Sequence, residues 1–379
     1  MPLDRSSGHQ PDSEDSLGFI PAIAVLGDPL LDRPADRGTP VDLKAVQKAL
    51  AELDGFADTA HRMNNAAAIR AVAAAEADAL AIELKARLGD PPPPPRSPIQ
   101  RYFRIRTAPL PADQLLWHCL LVIADAAEDL VDAPMAGSDL TRLASSINAV
   151  LDGDTGPRQD SPLPPPTSPR RDLAIEEVWL RRWIIGHQLH AMLNVHAAHA
   201  VSDAANALRC GSYNAAVRHI CRATTIVEGF AGARAQALAV PAGFYQEVLR
   251  PTMLPPLTEV PLSGRMHVEY RGYRRRVEEL LGLVPRPAKE LAATHPSLAL
   301  AVERLAEADL IDAERHITSV EPLVGDSRSL IQPSKSTENA VSSLRRIRHR
   351  RATAIAQHVR FPDSALPDGV HEADHPSSP

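Results

Sequence analysis

The chain has 379 residues, with 41 Lys+Arg against 47 Asp+Glu, a formal charge of −6, 44% hydrophobic residues and 4% aromatics. At about 150 residues per domain this length allows two or three domains, or one large one with tails, and the mild acidic balance gives no global pull toward nucleic acid or an anionic membrane. Scarce glycine (19) disfavours collagen-like and most all-β architectures, and three cysteines (Cys119, Cys210, Cys221) cannot build a disulfide framework.

Residues 1–38 are polar, rich in Asp, Pro and Ser, and read as a disordered lead without a signal peptide. Thr39-Pro40 then reads as an N-cap followed by proline at the first helical position, with Leu43, Val46, Leu50 and Leu53 at helical spacing. A second helix is expected over 66–88, ending at Gly89 before five consecutive prolines at 91–95, which must be extended. Apolar periodicity predicts helices over 112–131 and 138–151; the apolar run 115–127 contains His118 and Asp125 and is shorter than the ~20 residues a membrane span needs. A proline-rich break covers 157–169. Beyond it the pattern predicts helices over 171–209, 212–239, 241–249, 265–281, 297–308 and 336–360, with an ordered loop at 252–262.

No segment alternates with period two for long enough to make a strand, so the fold class is all-α. The expected organisation is a disordered 1–38, a helical region 39–151, a linker 152–170, a helical core 171–360 and a disordered tail 361–379. A soluble, reducing, cytoplasmic protein is the default.

Common nucleotide-binding and serine-hydrolase motifs are absent, and the only Glu-x-x-His spacing, Glu372–His375, lies in the polar tail, which excludes a di-iron bundle. Histidine remains. His187, His190, His196 and His199 lie along one predicted helix and His349 on the last. His187/His190 and His196/His199 are i,i+3 pairs that could share a metal, although an ordinary surface or hydrogen-bonded role is the commoner fate of any one of them. His187 is distinct because Trp183-Ile184-Ile185-Gly186-His187-Gln188 puts an imidazole one turn after a tryptophan on an apolar face, where its ring nitrogens need a partner. A metal, a bound dioxygen, a substrate group or a backbone carbonyl would serve.

That hexapeptide resembles the Phe-Ile-Ile-x-His-Gln helix of tryptophan 2,3-dioxygenases, whose histidine lies on the distal side of a b-type haem. Further fragments follow in the same order: Pro241-Ala242-Gly243-Phe244-Tyr245 with Arg250-Pro251, then Leu262-Ser263-Gly264 with Glu269-Tyr270-Arg271, then Arg346-Ile347-Arg348-His349. Together they are similar to the superfamily of histidine-ligated, haem-dependent aromatic oxygenases over 175–360. The glycine-rich loop that closes over substrate in tryptophan dioxygenases is missing, and 244–253 is more similar to the tyrosine 3-hydroxylase branch.

The resemblance implies a helical bundle of the tryptophan dioxygenase kind, haem b as cofactor, and oxidation of an aromatic substrate, L-tyrosine or a derivative, by dioxygen or peroxide. It implies His349 as proximal iron ligand, Arg345, Arg346 and Arg348 as partners of the haem propionates, and His187 as the distal catalytic residue. Trp183, Tyr245, Arg250, Ser263 and Gly264 would bind substrate, with Arg250 clamping a carboxylate. Ser263-Gly264 could instead cap the following helix, and Arg345–Arg351 could be a solvated basic face. A homo-oligomer, dimer or tetramer, is also implied. An indole or tryptophan oxygenase is the alternative within the superfamily, and a cofactor-free helical interaction protein the alternative outside it.

Overall fold

The computed structural model describes residues 23–30, 93–110, 112–130, 133–151, 173–284, 288–330 and 338–359, and these are mostly helical, as expected. They form β1 (Ala24–Gly27), α1 (Pro98–Tyr102), β2 (Ile105–Ala108), α2 (Ala112–Leu130), α3 (Gly137–Leu151), α4 (Ile175–Arg209), α5 (Tyr213–Glu228) and α6 (Phe230–Leu238). A single turn, α7 (Ala242–Phe244), passes through a π-helix (Tyr245–Leu249) into a second short turn, α8 (Arg250–Thr252). Then come α9 (Val268–Leu283), α10 (Ala288–Thr294), α11 (Pro296–Val324) and α12 (Ala340–Ile355). The helices expected near 43–53 and over 66–88, most of the lead, the linker 157–169 and the tail lie outside the described residues.

One short two-stranded pair accompanies the helices. β1 pairs in parallel with β2, Ala24 opposite Ile105, inside the stretch read as a disordered lead. All of β1 is buried, so it shows no inside–outside alternation, and four residues are too few to separate a strand from any other apolar run.

α4 is the axis of the molecule. Glu176 and Glu177 in its first turn and Arg209 in its last complement the helix dipole. Almost everything from Arg182 to Ala205 is buried, because α2, α5, α6 and α9 pack around it. One hydrophobic cluster runs through Leu26, Phe103, Ile123 and Ile147 as well as Ile185, Ile226, Tyr273 and Leu305. The region before the linker and the region after it therefore share a core.

Local chemistry explains two departures from the expected helices. The stretch expected as one helix over 212–239 divides at Gly229, where an added Cβ would meet Ser146 Oγ. The Ser146 hydroxyl there donates to the carbonyl oxygens of Thr225 (2.6 Å) and Ile226 (3.1 Å) at the end of α5. The helix expected to stop before Pro251 instead widens into the π-turn. Proline has no N–H to give and its ring crowds the carbonyl four residues back; an i→i+5 turn relieves both.

α4 and α6 touch backbone to backbone at Gly186. A Cβ there would lie 2.5 Å from Ala237 N and 2.6 Å from its Cα. Gly186→Ala is therefore expected to push the two helices apart and destabilise the protein by about 1–3 kcal/mol or more. Gly282→Ala, at an exposed position of α9 whose Cβ would meet open space, should be neutral or stabilising by up to about 1 kcal/mol. Urea denaturation of both variants checks the contrast; equal stabilities would mean that the helices are not in contact at Gly186.

Candidate functional site: an aromatic pocket beside a buried polar cluster

The pocket starts on α4. The His187 Nδ1–H donates to the Trp183 carbonyl oxygen one turn back, at 2.7 Å, which fixes the tautomer and leaves Nε2 as the free acceptor. Burial, the neighbouring His267 and Arg234 hold the His187 imidazole down to about 3, so it is neutral. Its ring stacks on Phe103 (4.0 Å, 13°) and tilts against Trp183 (4.3 Å). Phe103 closes α1, and its carbonyl accepts from Gln188 Nε2 at 3.1 Å, which locks the turn onto α4.

The π-turn supplies the next wall. Tyr245 meets Trp183 edge-on at 5.7 Å. Because π-turn bonds run from i to i+5, the Arg250 N–H donates to the Tyr245 carbonyl and the two side chains meet on one face. Arg250 also donates to the Arg328 carbonyl. Tyr102 hydrogen-bonds Thr252 at 2.7 Å. Trp183 Nε1 is buried and makes no well-aligned hydrogen bond among the described residues, with the Tyr102 hydroxyl as the polar group beside it. The structure thus brings together His187, Trp183, Tyr245 and Arg250.

Ser263 and Gly264 play a structural part. Ser263 caps a 3-10 turn, Gly264–Met266, by accepting from Arg265 N at 3.3 Å, and Gly264 is exposed. The turn delivers His267 to the pocket, where it lies 5.5 Å from Phe103 and 6.2 Å from His187.

One helical turn beyond His187 the chemistry becomes ionic. His190 Nε2 accepts from Arg234 of α6 at 3.0 Å, and Arg234 is paired with Asp312 of α11. Asp309, also on α11, pairs with Arg274 of α9 and with Arg351 of α12. Arg351 also donates to the Tyr270 hydroxyl. His316 of α11 faces the same cluster: burial, Arg234, Arg351 and His187 hold its ring well below the usual range, and it makes no hydrogen bond among the described residues. The Tyr273 hydroxyl is fully buried and also unpartnered, and burial followed by Asp309 pushes it well up.

The four basic residues expected on the last helix do not reach this cluster. His349 is exposed on α12. Arg345, Arg346 and Arg348 make exposed pairs with Glu321, Glu338 and Glu314. Arg351 is the inward arginine, and the sequence carried a signal for it: it lies seven residues after Leu344 and four before Ile355, in the apolar stripe of α12. The i,i+3 pair His196/His199 is absorbed structurally, His196 Nε2 by Cys119 Sγ at 2.8 Å and His199 Nε2 by the Asp28 carbonyl at 3.2 Å. Among the described residues no cluster of three or more histidines, cysteines or carboxylates is built to hold a metal ion, and no helix is long and apolar enough to cross a membrane.

Three imidazoles held neutral by the fold make stability depend on pH. His187, His190 and His316 have folded values below the ordinary value near 6.5, so the unfolded chain takes up protons that the folded one refuses. Their contribution is complete above about pH 6.5 and is lost as pH falls below it, by up to about 1.4 kcal/mol per pH unit for each group. Urea midpoints are expected to drop between pH 7 and pH 5, and His187→Gln should flatten the drop by about one proton. An unchanged slope in that variant would mean that His187 is not shielded.

The geometry and the comparisons with known proteins meet here. A family model described as SfmD 3-methyl-L-tyrosine peroxygenase matches residues 30–322, more than half of the chain. The match takes in the aromatic pocket, His190 and His316, and ends before α12 and His349. The 3-methyl-L-tyrosine peroxygenase of Streptomyces lavendulae is 28% identical over 263 residues, which cover 67% of this chain and 68% of that relative. No solved structure matches. The chain belongs to the SfmD 3-methyl-L-tyrosine peroxygenase family, oxidoreductases of the haem-dependent aromatic oxygenase superfamily that the sequence fragments resemble.

Proposed function

We propose that this protein hydroxylates the phenol ring of 3-methyl-L-tyrosine, or of a close relative, with peroxide as the oxygen donor, as a step of a biosynthetic pathway. The observation that carries the reading is the pocket of Phe103, Trp183, His187 and Tyr245. It presents aromatic rings, one neutral imidazole acceptor and one buried indole donor beside the Tyr102 hydroxyl. A phenol lies flat against such rings, with its hydroxyl donating to His187 Nε2, and the Trp183 Nε1–H is left for an oxygen of the substrate. Arg250, beside Tyr245 at the pocket's edge, takes the carboxylate.

A haem fits the donor set. His316 of α11, buried beside Arg234 and Arg351 and without a hydrogen bond to its ring among the described residues, is the residue that would hold the iron, whereas His349 is exposed on α12. Arg345, Arg346 and Arg348 are already paired on the surface, so Arg351 and Arg234 are the better partners for propionates. Cys119 is buried against His196, and Cys210 and Cys221 are exposed. None of the three is offered to the cluster, which favours a haem held without a thioether bond, haem b. When bound, it supplies the oxidation chemistry. The chain's residues orient the ring, exclude water from its face and accept the phenol proton at His187 Nε2.

Protein reconstituted with haem is expected to show a Soret band that His316→Ala alters, that His349→Ala leaves in place and that acid–acetone extraction removes. 3-Methyl-L-tyrosine should perturb the band, and peroxide should then convert it to a product one oxygen heavier. Arg250→Gln is expected to raise KM about tenfold or more with a smaller effect on kcat. A protein that stays colourless with haem overturns the reading, and a band perturbed by indoles alone moves it to the indole oxygenases.

A further inference from the structure

Aromatic residues are unevenly spread through this chain. They make up 4% of it, with three tryptophans and five tyrosines, yet Tyr102, Phe103, Trp179, Trp183, Phe244 and Tyr245 form one contiguous group. Trp183 meets Tyr245 edge-on at 5.7 Å and lies 6.0 Å from Phe103, which in turn meets Tyr102 at 4.8 Å. Trp179 meets Phe244 edge-on at 5.1 Å. Both tryptophans belong to α4, four residues apart, so their side chains are neighbours on one helix face. The group is graded in depth: Trp183 is buried, Phe244 borders on buried and Trp179 is partly exposed.

Trp179 has no task in the pocket described above, and packing against Phe244 asks only for a large apolar ring. What an indole adds is easy one-electron oxidation, which a phenyl ring lacks. The neighbouring tyrosines are poor resting places for an oxidising equivalent, because a phenol that loses an electron must also lose its proton. Burial, first of all, pushes the Tyr102 and Tyr245 hydroxyls up. Tyr102 is bonded to the neutral Thr252 hydroxyl, and Tyr245 stands beside the Arg250 guanidinium, so neither faces a base there. An indole carries the positive charge without that demand, and the polar group beside Trp183 Nε1 is again the neutral Tyr102 hydroxyl.

We propose that Trp183 and Trp179 form a two-step relay that takes oxidising equivalents out of the aromatic pocket, and that Trp179 is a surface site where one-electron donors of the enol or phenol class are oxidised without entering it. This second activity rests on the peroxygenase reading, because it draws on the same peroxide. Its balance is that of a peroxidase. Hydrogen peroxide takes two electrons and two protons, its O–O bond breaks, and it leaves as two waters. The electrons come one at a time from Trp183, which is refilled from Trp179, which is refilled from the donor. Two donor molecules each give up one electron and one O–H proton and become radicals. With an aromatic substrate in the pocket both equivalents go into the new C–O bond; with the pocket empty the relay drains them before the buried rings are damaged.

Trp179→Phe keeps the contact with Phe244 and removes the oxidisable ring. In the full-length, haem-reconstituted protein it is expected to slow peroxide-dependent oxidation of ascorbate about tenfold or more, with the initial rate of 3-methyl-L-tyrosine hydroxylation unchanged. Freeze-quenched wild type given peroxide alone should show a tryptophan-type radical by electron paramagnetic resonance, altered by ring-deuterated tryptophan and lost in Trp179→Phe. A further readout needs no haem. A bulky photo-oxidant, ruthenium tris-bipyridine with a cobalt(III) quencher, reaches only the surface, so oxygen adducts on buried Trp183, mapped by peptide mass spectrometry, should form in wild type and be largely lost in Trp179→Phe. Ascorbate oxidation as fast in the variant as in wild type overturns the surface site, and equal Trp183 adducts overturn the relay, even in a protein that hydroxylates tyrosines. A protein that takes up no haem sinks the peroxygenase reading and the peroxide-driven activity with it, while the photo-oxidation still decides the relay.

Discussion

The backbone contact between α4 and α6 at Gly186 is the constraint on which the site depends. Helices that meet without a side chain between them leave little freedom in how the neighbouring residues face each other. His190, one turn after Gly186, lies against Arg234, one turn before Ala237. A buried clamp secures the register: Arg182 grips Asp129 of α2 through Nε at 3.2 Å to both oxygens and donates to the Ala239 carbonyl at 3.0 Å, while Gln236 donates to Asp129 at 2.9 Å. Burial pushes the Asp129 carboxyl up against the pull of Arg182. Such a pair adds little net stability compared with apolar packing, but removing one partner strands the other charge. Its value lies in fixing where α2, α4 and α6 sit.

The histidines of α4 show how partners, and not residue type, settle an imidazole's role. His196 and His199 are tied to Cys119 and to a backbone carbonyl, and so belong to the scaffold. His187 has one nitrogen satisfied and one left open in an aromatic pocket. His190 is committed to Arg234, and through it to Asp312. The sequence shows two i,i+3 pairs and marks His187 by the tryptophan one turn before it; the groups brought in by other helices settle the other three.

This also marks what could be read in advance. α4 was legible because a long apolar pattern with acidic and basic ends has one solution, and Trp183-x-x-x-His187 was legible because one helical turn places both on one face. Tyr245 and Arg250 were legible through the family fragment, although an α-helix would have set them apart and only the π-turn forced by Pro251 brings them together. Phe103, His267, His316, Arg234 and Arg351 were not singled out. Each acts on partners dozens of residues away, and the place of Arg351 in an apolar stripe, the one local signal, does not by itself separate an inward arginine from a snorkelling one. The basic run 345–351 shows the ambiguity: three of its arginines meet surface carboxylates, and Arg351 turns to Asp309.

The hardest feature to foresee was the role of the region before the linker. Read alone, 39–151 is a set of helices without chemistry, and the site seemed complete within 171–360. Yet Phe103 is the face on which His187 stacks, Gln100 steadies Glu269, and Tyr102 reaches Thr252 at the end of the π-turn. All three come from a short helix and the turn after it, held by a two-stranded pair whose other strand is Ala24–Gly27. A fragment beginning at 171 would keep the pocket's imidazole and lose the ring beside it, exposing His187 to water and removing the shielding that keeps it neutral. The family match starting at residue 30 takes in Gln100, Tyr102 and Phe103: the aromatic face on which His187 stacks is supplied from well before the linker.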